Sequence, residues 1–183
     1  ELHDKHEALS AVAHTAHFIG HLQSNKIKEV IQYAQCIQSI DNLETAQKLE
    51  QRLAQEDRRM EILIQVNTSA EESKFGCTPE SAESLARAIA ALPHISIQGL
   101  MTIGLFSGEE ERVRSCFRCL KQVQQRIADA AIPNVSVDVL SMGMSGDLEM
   151  AIEEGSTMLR IGSAVFGTRQ YPDSNYWNEK DPV

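Results

Sequence analysis

The sequence predicts an α/β domain built on a parallel sheet. Short apolar strand candidates alternate with helical patterns through the whole chain, as βαβαβαβαβαβα, and such alternation joins neighbouring parallel strands through helical crossovers. No low-complexity linker divides the 183 residues, a length that suits one domain with a substantial core. No repeat of the solenoid kind is present beyond the structural alternation. No G-x-G-x-x-G follows an early strand, which argues against a dinucleotide fold. An open doubly wound sheet and part of a barrel both fit this pattern.

The elements follow in order. Glu1–Ala13 reads as a helix with sparse apolar positions, and His17-Phe-Ile-Gly20 as a short strand ending in glycine. His21–Ala34 carries Leu22, Ile27, Val30 and Ile31 near helical spacing. Cys36–Ile40 is a second short strand, and Asp41-Asn-Leu-Glu44 matches a capping box opening a helix to about Gln55. Glu61–Asn67 is apolar enough to be a buried strand. The polar loop Thr68–Cys77 leads to Thr78-Pro79, an N-cap and first-turn proline for a helix over Glu80–Leu92. Ile95–Thr102 is the next strand, with Gly99 inside it. Ser107-Gly-Glu-Glu110 opens a long helix to about Ala131, which Pro133 ends. The tail after Gly167 is polar and reads as extended on the surface.

The last stretch, Val135–Gly167, reads as two strand–turn–helix units. Val135–Leu140 runs into Ser141-Met-Gly-Met-Ser145 and a helix over Gly146–Glu154; Thr157–Ile161 runs into Gly162-Ser163 and a short terminal helix. Each turn carries a glycine and a serine where a helix begins. Glycine lets a backbone approach a ligand closely, and helix N-termini with serine attract anions. Two adjacent turns of this kind can grip one phosphate from both sides, as the loops after strands seven and eight of barrels frequently do. Ordinary βα loops with ordinary caps give the same pattern.

Composition narrows the function classes. The net charge is −9 and the pI near 5.1, with no basic stripe to neutralise a phosphate backbone, so a nucleic-acid partner is not expected. No apolar run is long enough to span a bilayer and no signal-peptide pattern is visible. The acidic surface suits a soluble monomer. The chain begins at Glu1 rather than methionine, so an upstream segment is expected to be missing. Cys36, Cys77, Cys116 and Cys119 read as free thiols of a reducing cytoplasm, because Cys116-Phe-Arg-Cys119 sits mid-helix without a second pair. None of the six histidines stands in a metal-ligand pattern, and no metal is expected.

His17-Phe-Ile-Gly-His-Leu-Gln-Ser-Asn-Lys26, Gly99-Leu-Met101, Leu140-Ser-Met-Gly-Met-Ser145 and Arg160-Ile-Gly-Ser163…Phe166-Gly167 resemble the pyridoxal 5′-phosphate homeostasis protein family, single-domain relatives of the alanine racemase N-terminal barrel. The resemblance runs from Glu1 to Tyr171 and leaves residues 172–183 as a polar tail. It implies a modified (β/α)₈ TIM-type barrel holding pyridoxal phosphate at the C-terminal ends of its strands, with the aldehyde in a Schiff base to a lysine at the end of the first strand. That leading segment has no counterpart here. Six of eight βα units are present, too few to close a barrel of eight, and open edges would invite aggregation; an N-terminally incomplete polypeptide is therefore expected.

By the same resemblance, the phosphate falls to Ser141 or Ser145 together with Gly162 and Ser163, and Arg160 faces the pyridine nitrogen. An arginine cannot accept a proton, so it leaves the ring a weak electron sink. Asn67, Met101 and Met142 stand at or near strand ends, which aim at the ligand face. The methionines would pack on the ring or fill core. Asn25 and Lys26 line the mouth or start a solvated face; Lys74 reads as solvated. A carrier in vitamin B6 and amino-acid homeostasis is expected rather than an enzyme. Racemising relatives carry a second domain with a catalytic tyrosine, and no opposing general acid is visible here, Tyr171 lying beyond the last helix. The alternatives are a pyridoxal phosphate-dependent racemase-like enzyme, or a phosphate-ester barrel enzyme, which would need a carboxylate base at a strand end.

Overall fold

The computed structural model describes residues 9, 11–71 and 74–167. Most of the first expected helix, Ser73, Tyr171, the domain boundary at 171 and the polar tail lie outside the described residues; residues 11–13 are not helical. The described elements are β1 (His17–Phe18), a 3₁₀ turn (Ser24–Lys26), α1 (Ile27–Tyr33), β2 (Cys36–Ile40), α2 (Leu43–Gln55), β3 (Met60–Gln65), α3 (Ala82–Ile89), β4 (Ile95–Met101), α4 (Glu110–Asp129), β5 (Val135–Met144), α5 (Leu148–Glu153), β6 (Met158–Arg160) and α6 (Ser163–Phe166).

The strands lie side by side in chain order, β1 to β6, and every neighbouring pair is parallel. A doubly wound sheet would reverse its order at a switch point. Sequential order is the winding of a (β/α) barrel, so of the two readings left open by the alternation the barrel holds, as a six-stranded arc.

The two faces of the arc differ. Along β3, Ile62 and Ile64 join the main core with Leu49, Leu53 and Phe117 of the helices, while Leu63 joins a separate cluster with Cys36, Met101 and Val139. This is the two-residue period of a strand: one face packs on helices and the other is the concave inner face. The arc is strongly curled. Flat, β2 and β5 would stand about 14 Å apart at ordinary strand spacing, yet the Gln38 side chain of β2 reaches Ser141 of β5 at 2.6 Å and Met158 of β6 at 3.1 Å.

Three local expectations are corrected. Ser141–Met144 is not a turn but the continuation of β5, because Ser141 and Met144 pair with Met158 and Arg160 of β6 across a register irregularity. Gly143, at φ +93°, absorbs that irregularity, and a Cβ there would stand 2.4 Å from the Ala151 Cβ of α5. The cap of α2 is Asn42 rather than Asp41: Asn42 accepts from the Thr45 N–H at 2.8 Å, while Asp41 accepts from the Gly76 N–H at 3.3 Å. Thr78 does accept from the Ser81 N–H at 3.2 Å, but the bond closes a turn and α3 begins only at Ala82.

Candidate functional site

The concave face carries a chain of polar groups that local sequence gives no hint of. Gln38 is 2% exposed and Ser141 is fully buried. The Gln38 amide nitrogen donates to His17 Nδ1 at 2.8 Å and to the Met158 sulfur, and its carbonyl oxygen accepts from the Ser141 hydroxyl. The same hydroxyl oxygen accepts from Arg160 Nη1 at 2.8 Å, while Nη2 donates to the Thr102 carbonyl at 2.7 Å. Residues from β1, β2, β5, β6 and the end of β4 thus meet on one face.

Arg160 is the chemically distinctive member. Half-buried, it is held by two neutral oxygens, and among the described residues no carboxylate stands within ion-pair distance of it. Burial brings its guanidinium down to about 10, with the charge of Asp147 acting the other way. It therefore remains a cation at neutral pH. His17 is held below its ordinary value by burial, partly offset by Glu61, and burial pushes the Cys36 thiol up to about 12. A neutral thiol is a poor nucleophile, so Cys36 serves as inner-face filling.

A second cluster lies at the C-terminal end of β6. The Ser145 hydroxyl oxygen accepts from the Gly162 N–H at 3.2 Å and the Ala164 N–H at 3.1 Å. Both bonds use oxygen lone pairs and leave the hydroxyl proton to donate. Gly162 and Ser163 form the start of α6, and a Cβ on Gly162 would meet nothing within 4 Å. Ser145 does not open α5, whose cap is Asp147. It spans to the next unit instead.

The expected site residues separate on this geometry. Ser145, Gly162 and Ser163 come together, with Ala164 added. Ser141, expected at a strand end facing the mouth, lies inside β5 beneath Arg160 and does not join the Ser145 cluster. Met101 is on the concave face beside Cys36 and Leu63. Met142, by contrast, is fully buried in the helix-side core, one residue out of phase with Ser141, and is turned away from the inner face.

The Asn67 amide is committed to its own loop. It donates to the Glu71 and Lys74 carbonyls at 2.8 and 3.1 Å and accepts from the Ser69 N–H and hydroxyl. Lys74, expected solvated, pairs with Glu71 and donates to the Gly104 carbonyl at 3.0 Å; Lys26 pairs with Glu29 on the surface. Replacing Asn67 with alanine should cost about 1–2 kcal/mol of local stability in this loop. The check is faster hydrogen exchange at the Ser69 amide with little change in global melting.

Sequence reasoning missed Gln38, Thr102 and the part played by His17. The available signal was the polar pair Gln38-Ser39 inside the short Cys36–Ile40 strand, flanked by Ile37 and Ile40. Among the described residues no helix is long and apolar enough to cross a membrane, and no group of three or more His, Cys, Asp or Glu side chains is placed to hold a metal.

A sequentially wound parallel arc with helices on its outer face defines a domain of the (β/α)-barrel class. The chain belongs to the alanine racemase N-terminal domain family, whose model matches residues 4–170, and within it to the pyridoxal phosphate homeostasis proteins. It is 40% identical over 155 residues to the pyridoxal phosphate homeostasis protein of Pseudomonas aeruginosa, covering 85% of this chain and 65% of that one. The protein of the same name from Aquifex aeolicus is 39% identical, with 91% and 72% covered. The chain thus spans 65% of the length of the Pseudomonas relative.

Among solved structures, a protein of Bifidobacterium adolescentis superposes with a TM-score of 0.81 at 41% identity, covering 83% of this chain and 60% of that one. PipY of Synechococcus elongatus with pyridoxal phosphate bound superposes at 0.81 and 26% identity, with 91% and 77% covered. Alanine racemase of Clostridium difficile, at 0.74 and 15% identity with 93% and 44% covered, shares the fold.

Proposed function

We propose that this chain is the cofactor-holding part of a pyridoxal phosphate-binding protein of intracellular vitamin B6 and amino-acid homeostasis, acting in the cytoplasm as a non-catalytic carrier. The observation that carries it is Arg160: a half-buried cation, on the inner face of the arc, whose partners among the described residues are neutral oxygens. Its fork keeps N–H donors beyond those given to Ser141 and Thr102, and a pyridine nitrogen is an acceptor that one of them can reach without an anion in the site.

The residues fit the cofactor at two points. The Ser145 hydroxyl, whose proton is left free by the Gly162 and Ala164 N–H bonds to its oxygen, would donate to the phosphate together with Ser163, and the space above Gly162 is open to it. Arg160 would supply the donor for the ring nitrogen, Ser141 supports Arg160, and Met101 would form floor on the same face. When bound, the cofactor supplies an electron-withdrawing ring and a reactive aldehyde. A guanidinium with a value about 10 gives up no proton at neutral pH, so a ring nitrogen held by it would stay unprotonated and the ring would be a poor electron sink. That chemistry suits holding and release more than catalysis.

Titration of the purified chain with pyridoxal phosphate, followed by cofactor absorbance, should show saturable binding that dialysis reverses. Absence of saturable binding counts against the function. Borohydride treatment should leave no pyridoxyl-lysine, because Lys74 is tied to Glu71 and Gly104 and Lys26 lies on the surface with Glu29. Recovery of a pyridoxyl peptide at Lys26 or Lys74 by mass mapping would show a covalent mode instead.

A further inference from the structure

Arg160 does not set its own direction. Its Nη1 rests on the Ser141 hydroxyl, and that hydroxyl can accept from Arg160 with its own proton already placed because the proton goes to Gln38 Oε1. Gln38 can offer its oxygen there only while its nitrogen faces the other way, toward His17 Nδ1 and Met158. Nδ1 must then be the bare, accepting nitrogen of a neutral ring with its proton on Nε2. Reversing the Gln38 amide would turn a donor toward Ser141, free the serine proton and aim it at the arginine side.

We infer that Gln38, oriented by His17, is a positioning residue that fixes the polarity of the Ser141 hydroxyl and through it the direction in which Arg160 presents its guanidinium. The link to cofactor affinity rests on the function proposed above; the effect on Arg160 does not. Burial makes the chain of bonds tight: Gln38 and Ser141 are shut off from water, so a broken link has no solvent partner to replace it.

The sense of the pH dependence follows. The groups facing His17 from the packed strands are Cys36 on β2 and Glu61 on β3, joined through successive register pairs. Cys36 stays neutral, and Glu61 raises the His17 value without overcoming burial. His17 therefore takes up its proton at lower pH than an ordinary histidine, and the chain is intact at neutral pH. Acidification puts a proton on Nδ1, which then has to donate, and the Gln38 amide reverses.

The test uses the chain without cofactor first. Nitrogen-15 NMR of arginine side chains, assigned with Arg160→Lys, should show Arg160 Nη–H signals that persist at neutral pH and broaden on acidification. Gln38→Leu and His17→Phe should lose these signals at every pH while melting cooperatively. His17→Asn, whose amide oxygen can stand in for Nδ1 and does not titrate, should keep them and lack the acid step. Unchanged Arg160 signals in Gln38→Leu would overturn the inference, as would an acid step that survives in His17→Asn. With pyridoxal phosphate added, Gln38→Leu and His17→Phe should bind about fivefold more weakly, the size of one ordinary hydrogen bond, and with a displaced absorption band. If the parent chain binds no cofactor, the carrier function fails, and the NMR comparison still decides the positioning role.

Discussion

Replacing Gly99 with alanine should abolish the cooperative fold or lower its stability by about 3 kcal/mol or more, the upper range for overpacked cores. A Cβ at Gly99 would lie 2.0 Å from the Val139 carbonyl oxygen, 2.7 Å from its carbon and 2.7 Å from its Cβ. These atoms belong to β5, the neighbour of β4, so relief means parting the two strands. The irregularity between Ile97 and Gly99 in the β4–β5 register marks the same close approach. Main-chain atoms cannot step aside as a flexible side chain could. The consequence would reach the site, since β5 carries Ser141 and the end of β4 leads into Thr102. Chemical denaturation of Gly99→Ala beside the parent measures this, and a midpoint within experimental error of the parent would show that the strands part cheaply.

The glycines also show how far the sequence speaks for itself. Gly99 inside an apolar run was legible as a strand glycine, and the run itself as a strand, because strand periodicity is a local property. Gly143 misled. A serine–glycine stretch before a helix reads as a turn, yet the same composition serves a strand irregularity where β6 pairs on. Nothing within Ser141–Ser145 distinguishes the two, because the distinction lies in the partner strand.

The same limit explains the site. Ser145 and Gly162 were nominated because each stands in a local serine–glycine turn signal, and the structure brings them together through the Ser145 oxygen rather than through a helix start at Ser145. The bond from Ser141 to Gln38 joins residues 103 positions apart, and it exists only because the sheet curls. A strand's period says which residues share a face, so Cys36 and Gln38 were separable from Ile37 in principle. It does not say which face is concave. Met142 shows the cost: one step from Ser141, it carries the same motif signal and faces the helices.

Replacing Arg160 with methionine should weaken pyridoxal phosphate binding about ten- to hundredfold, the range for losing a hydrogen bond from a charged donor. The same change should leave thermal stability near the parent's or raise it. The cation is partly desolvated, and its two partners are neutral oxygens that return little Coulomb energy, so removing the charge relieves a desolvation cost that an apolar side chain of similar length does not carry. Against this stand the Ser141 hydroxyl and Thr102 carbonyl, which lose a donor, and their cost sets how far the stability gain can go. Arg160→Lys separates charge from shape, since an ammonium keeps the cation but not the planar fork that engages Ser141 and Thr102 together; it should bind between the parent and Arg160→Met. Titration and melting on the same three proteins give both quantities. A structural arginine would show the reverse split, with stability falling and affinity following only through unfolding. Opposed changes would mean that the fold bears the cost of a buried charge for the sake of what binds it.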